Sequence, residues 1–170
     1  MIRESHNIFI RAAPMDVYRH LEERPGKFPI FRMLESWPFL ALRVFLIGHF
    51  KSGLKMLISR RFFHTARENM KRPLAIGDSF GPFTLSEAKE GEKYFFTLKT
   101  KLFDLEAGYI IKQADNGTVL SLDLISPRPA LIQRAYWILT KPVHYIFARK
   151  TLAVIKYEAE RTFRAAYGGE

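Results

Sequence analysis

Apolar and polar positions alternate from Glu4 to Arg11 around Ile8 and Ile10, which predicts a first β-strand. Pro14 suits the first turn of a helix running to about Arg24, with Val17, Tyr18 and Leu21 on one face. Pro25-Gly26 ends it. From about Pro38 to Arg67 the period becomes helical, with Leu40, Val44, Ile47, Leu54, Leu57 and Ile58 at three- and four-residue steps, and Gly48 and Gly53 dividing it. From Gly77 it switches to two. Ser79–Ala88, Lys93–Thr100, Leu105–Gln113 and Thr118–Ser126 read as four strands. Leu105, Ala107, Tyr109 and Ile111 share one face of the third, and Leu120, Leu122 and Leu124 one face of the fourth. The connections Lys89-Glu90-Gly91-Glu92 and Asp115-Asn116-Gly117 are short, so these strands form an antiparallel meander. Pro127 and Pro129 stop the last strand. Ala130–Thr140 reads as helix, and Pro142 opens a final helix to about Ala166 with Val143, Ile146, Phe147, Ile155, Ala159, Thr162 and Phe163 as its stripe.

This order of elements is an α+β arrangement of the helix-grip kind, an antiparallel sheet wrapped around a long C-terminal helix. The 170 residues fit one domain, 1–170, and make two independent cores unnecessary. A 48% hydrophobic and 26% charged composition is that of an ordinary globular chain. There is no cysteine, which excludes disulfides, thiolate metal sites and cysteine nucleophiles and suits a reducing cytoplasm. The start, MIRESHNIFIRAAP, lacks the apolar segment of a signal peptide. The longest apolar run, Trp37–Ile47, is broken by Pro38 and Arg43 and falls short of the roughly 20 residues a spanning helix needs. The expected location is cytoplasmic, with peripheral membrane contact left open.

The net charge of +10 is unevenly spread. Residues 49–72 carry seven bases against Glu68, residues 73–126 carry a net −3, and residues 127–170 a net +5. Such asymmetry accommodates an anionic partner, or else two solvated cationic helix faces. In the basic segment Lys51, Lys55, Arg60 and Arg61 stand beside Phe50, Phe62 and Phe63, a composition suited to an anionic membrane surface. Nucleic acid is a weaker fit, because no recognition helix or single-strand signature accompanies the charge.

The pattern is similar to the START-like or polyketide-cyclase (SRPBCC) superfamily. Residues 76–157 resemble an uncharacterised family within it whose members occur alone or fused behind NAD-binding reductase domains. The residues that carry this are Ile76-Gly77 with Gly81-Pro82-Phe83, Leu102-Phe103-Asp104-Leu105, Gln133-Arg134-Ala135-Tyr136, and Lys141-Pro142-Val143-His144 with Ile146 and Leu152. Phe39-Leu40-Ala41-Leu42-Arg43 and Gly53-Leu54-Lys55 are similar to that family's N-terminal part. In the region of that basic helix the larger superfamily places strands. The resemblance implies an apolar cavity between sheet and helix that holds lipids, polyketides or other hydrophobic molecules, and it implies no fixed chemistry.

Candidate cavity residues are Phe83, Phe96, Tyr109, Tyr136, His144 and Phe147, of which the tyrosine hydroxyls could orient a ligand. The same aromatics at this period also serve as plain core. None of the five histidines forms an i, i+4 zinc pair, and no phosphate loop or nucleophile elbow is present, so neither metal nor cofactor is implied. His144 could act as a base with Asp104, Glu106 or Asp123, or could pin the helix through a backbone hydrogen bond. Asp123 alternates with the leucines of its strand and is expected to face solvent. The residues leave three functional readings. The first is a binding module for a hydrophobic small molecule or lipid. The second is a cyclase- or dehydratase-type enzyme using His144 with a strand carboxylate or Tyr109. The third is a peripheral membrane or lipid-handling protein acting through residues 49–72.

Overall fold

The computed structural model describes residues 1–23, 51, 73–80, 83–99 and 104–167. The expected helical region from Pro38 to Arg67 lies outside these except for Lys51, which is helical and exposed. Strand β1 (Ile2–Ile10) leads into helix α1 (Pro14–Glu23). Next come β2 (Ser79–Phe80), β3 (Phe83–Lys89), β4 (Lys93–Lys99), β5 (Asp104–Ala114) and β6 (Gly117–Ser126). Helix α2 (Leu131–Tyr167) closes the order. The six strands form one antiparallel sheet in the order β1-β6-β5-β4-β3-β2, so the first strand closes against the last. This is the helix-grip α+β arrangement that the pattern predicts.

The expected strand 79–88 is two strands, β2 and β3, which pair through Ser79↔Thr84 and Phe80↔Phe83. The other three expected strands hold, and β3–β6 run as a meander. One sheet face packs on the helices. Ile10, Leu85, Tyr94, Phe96, Tyr109, Ile111 and Leu120 meet Val17, Tyr18 and Leu21 of α1 and Leu152, Ile155 and Ala159 of α2 in one core. Thr118 Oγ1 donates to the Ala12 carbonyl across 2.7 Å, and Glu160 Oε1 accepts from the Arg11 N–H across 3.0 Å. These bonds fix the β1–α1 corner and tie it to the C-terminal half of α2.

Helix α2 departs from expectation in two respects. It is one 37-residue helix with Pro142 inside it, about 55 Å long. Proline removes the bond to the carbonyl four residues back, that of Ile138. Ile138 is 72% exposed, so water can take that bond and no buried carbonyl is stranded. The helix is also phased differently. Its buried line is Ala148, Thr151, Leu152, Ile155 and Ala159, whereas Ile146, Thr162 and Phe163 are exposed and Phe147 is only half-buried. Val143 is on the helix, with its side chain outside the described ones.

Asp123 also departs. Its leucine neighbours face the helix as expected, yet the carboxylate on the opposite face is buried, at 2% exposure. Across the sheet it sits in the row Ser5–Asp123–Gly108–Phe95. The Phe95 ring lies over Gly108 so closely that a Cβ there would come within 2.7 Å of Phe95 Cγ. The glycine makes room for the ring, and the ring helps shut water from that face. Ser5 Oγ donates to Asp123 Oδ1 across 2.6 Å, which compensates the burial.

Candidate functional site

Strand alternation puts Glu4, His6, Ile8 and Ile10 of β1 on the helix-facing side of the sheet. The last two complete the core, and the first two begin a different surface. Register sets them in rows. Glu4 is aligned with Leu124, Ala107 and Phe96, and His6 with Leu122, Tyr109 and Tyr94. Each row thus runs from a polar group at the β1 edge to an aromatic group on β4, and the second row adds Tyr109 on β5. Ala107 is the small residue of the first row.

The polar end is a connected group. His6 Nε2–H donates to Glu4 Oε1 across 2.6 Å, with the side chains only 16% and 13% exposed. The Tyr145 ring of α2 meets the imidazole edge-on at 5.5 Å between centroids. Ser126, on the same face as Leu124 and Glu4, accepts from Gln133 Nε2 across 3.0 Å. The first half of α2 therefore lies over this end of the sheet. Glu4 Oε2 and Gln133 Oε1 are buried and have no hydrogen-bond partner among the described residues. Buried carboxylate and amide oxygens are costly to leave bare, so such atoms mark a place where a donor group fits.

The sheet-facing line of α2 repeats this character. Gln133, Trp137, Thr140, His144 and Thr151 recur at three, four or seven residues, which puts them on one side of the helix. Trp137 and His144 stack at 5.0 Å. Thr151 is fully buried, and its Oγ1 has no partner among the described residues. Past Thr151 the same side turns aliphatic as Leu152, Ile155 and Ala159. One helix face thus serves a polar–aromatic site in its first half and a sealed core in its second.

Of the expected cavity residues, Phe96 and Tyr109 lie on the helix-facing side in the rows of Glu4 and His6. Burial pushes the Tyr109 phenol well above its ordinary value, with the neighbouring Tyr94 adding to it, so both hydroxyls stay protonated donors. His144 and Phe147 sit half-buried on α2. Phe83 opens β3 and Tyr136 lies on α2, with their side chains outside the described ones. Asp104, Glu106 and Asp123 occupy the face turned away from α2, because each alternates with a helix-facing residue. The three carboxylates expected to pair with His144 thus stand on the sheet face opposite the one α2 covers. Lys55, Arg60 and Arg61 lie outside the described residues.

Glu4 and His6 were not among the residues expected to form the site. The signal was there: they share the parity of Ile8 and Ile10 in a strand read as half-buried.

No protein-family model matches the chain, and no curated protein matches it in sequence. Several solved structures are similar over most of its length. Protein MLL2253 from Mesorhizobium loti is 13% identical, with 91% of this chain and 96% of that one covered and a TM-score of 0.49. The polyketide-cyclase-like protein Cgl2372 from Corynebacterium glutamicum is 14% identical, over 99% and 97%, with a TM-score of 0.41. The di-domain aromatase/cyclase StfQ of the steffimycin biosynthetic pathway is 12% identical, over 95% of this chain and 52% of that one, with a TM-score of 0.48. At these identities and TM-scores no activity is carried over from them.

Proposed function

We propose that the chain binds an amphipathic small molecule between the sheet and the first half of α2. Its apolar body lies along the rows of Leu122, Leu124, Ala107 and Phe96, and its hydrogen-bonding end reaches Glu4, His6 and Gln133. The observation that carries this reading is the pair of buried oxygens, Glu4 Oε2 and Gln133 Oε1, that have no hydrogen-bond partner among the described residues and stand at the end of an apolar surface. Both are acceptors, so the ligand end that fits them is a donor, a hydroxyl or an amine. Native mass spectrometry of the protein as purified tests for a retained molecule. Titration with dodecanol and with dodecanoate tests the head group. The alcohol should bind roughly tenfold more tightly or better, since the carboxylate would leave both oxygens unpaired and face Glu4. Glu4→Gln should erase the preference. Equal binding of the two, with no retained molecule, would remove the proposal.

The Glu4–His6 hydrogen bond favours a second reading, an enzyme of the cyclase or dehydratase type. With Nε2–H committed to Glu4, Nδ1 is left as the base, and the carboxylate holds the ring and stabilises the imidazolium that forms. Incubating the retained molecule with the parent and with His6→Gln separates the two readings. A mass change produced by the parent and not by the variant supports catalysis, and no change with either leaves binding alone.

A further inference from the structure

The outer side of α2 carries a second apolar stripe. Leu131, Ile138, Leu139 and Ile146 are 86%, 72%, 80% and 52% exposed. At 3.6 residues per turn these four fall within an arc of about 100°, opposite Gln133, Thr151 and Ile155. Arg134 and Lys141 border that arc on one side and Lys150 on the other, while Arg149 continues its centre line. All four bases are exposed. Between Leu124 and Tyr157 the sequence contains no aspartate or glutamate. An exposed aliphatic ridge in a purely cationic frame is not what a solvated helix face needs, since water gains nothing from the leucines.

We infer that the first half of α2 docks on an anionic lipid surface, with the aliphatic ridge at the depth of the acyl-chain boundary and the flanking bases at the phosphates. Charge complementarity selects an anionic partner, and the ridge selects among anionic partners. A nucleic acid backbone offers Leu131, Ile138 and Leu139 nothing to bury against, whereas a bilayer interface buries them and neutralises the bases together. The geometry is that of a helix lying in the plane of the surface. Among the described residues no helix is long and apolar enough to cross a membrane. Pro142 sits in the ridge, and the carbonyl it frees lies where headgroup water remains within reach. This surface is built from residues other than the basic segment 49–72 and lies on the side of α2 opposite Gln133, so its failure would leave the ligand proposal untouched.

Co-sedimentation of the full chain with vesicles of phosphatidylcholine, with and without phosphatidylserine, tests the proposal. The parent should partition to the anionic vesicles, far less to the neutral ones, and less as salt shortens the Debye length. Ile138→Asp with Leu139→Asp should reduce that partition roughly tenfold or more. Its urea midpoint should stay at the parent value, because both positions are exposed. As a second readout, Leu139→Trp should add emission that shifts to the blue on anionic vesicles and is quenched by brominated acyl chains. The inference is overturned if the double aspartate variant binds as the parent does, including the case where Lys51→Glu with Arg60→Glu alone abolishes binding. It is equally overturned if the ridge variants change only self-association in sedimentation velocity, or only binding to single-stranded DNA.

Discussion

Replacing Ile155 with alanine probes which side of α2 carries the core. Ile155 is fully buried, between the sheet and α1, in contact with the cluster that contains Ile10, Tyr18 and Leu120. The change removes three carbons, which at about 0.8 kcal/mol each lose roughly 2.4 kcal/mol of transfer free energy. If the site does not relax, it leaves a void on the order of 80 Å³, and at about 24 cal/mol per Å³ that adds roughly 2 kcal/mol. The expected loss is therefore about 2.5–4.5 kcal/mol. With a urea m-value of about 2 kcal/mol per M, the unfolding midpoint should fall by roughly 1.2–2.2 M at unchanged m. Ile146→Ala is the matched control on the opposite side, half-exposed, and should cost under about 1 kcal/mol. Phe147→Ala, half-buried, should fall between the two. Equal midpoints for the two isoleucine variants would refute the phase of the helix, and with it both the site assigned to one side and the ridge assigned to the other.

Two further outcomes follow from buried polar groups. Tyr94 Oη has no partner among the described residues, and burial first, then the nearby Glu22 charge, raises its phenol well above the ordinary value. Burial raises Tyr109 likewise. The folded chain keeps these protons when the unfolded chain releases them near pH 10, so their contribution is intact below about pH 10 and is lost as pH rises beyond it. Tyr94→Phe should leave neutral-pH stability unchanged or raised by up to about 1 kcal/mol and should make the alkaline decline shallower, as read by urea midpoints from pH 8 to 11. An identical decline in the variant would contradict this. Asp123→Ala should cost about 2 kcal/mol through the lost charged hydrogen bond from Ser5, with the exposed Arg3 at 3.8 Å credited nothing, and Asp123→Asn should cost less. A neutral alanine variant would show that the burial of this carboxylate is not compensated by Ser5.

The sheet was legible because its signal is local. Period-two alternation assigns Leu105, Ala107, Tyr109 and Ile111 to one face with no knowledge of their partners, and that face is the one on the helices. The helix phase was not legible in the same way. A stripe is read from aliphatic residues, and α2 carries them on two opposite sides: Leu152 and Ile155 inside, Ile138, Leu139 and Ile146 outside. A stripe drawn through both sets picks Ile146 and Phe163 for the core and passes over Thr151, which is fully buried. Asp123 depended on register. Its burial follows from standing opposite Gly108, across which the Phe95 ring lies, and that row exists only once three strands are aligned. Glu4 and His6 share a different cause. Their parity put them on the buried face, but a charged residue at the end of an edge strand reads as the point where burial stops. What changes that reading is the helix above them, with Gln133 held by Ser126 and Tyr145 set against the imidazole, a neighbourhood assembled from residues more than 115 positions away along the chain. The same long separation hides Gln133 and Thr151, whose burial follows only once the sheet lies beneath α2, supplying Ser126 as a partner to the Gln133 amide and leaving the Thr151 hydroxyl without one among the described residues.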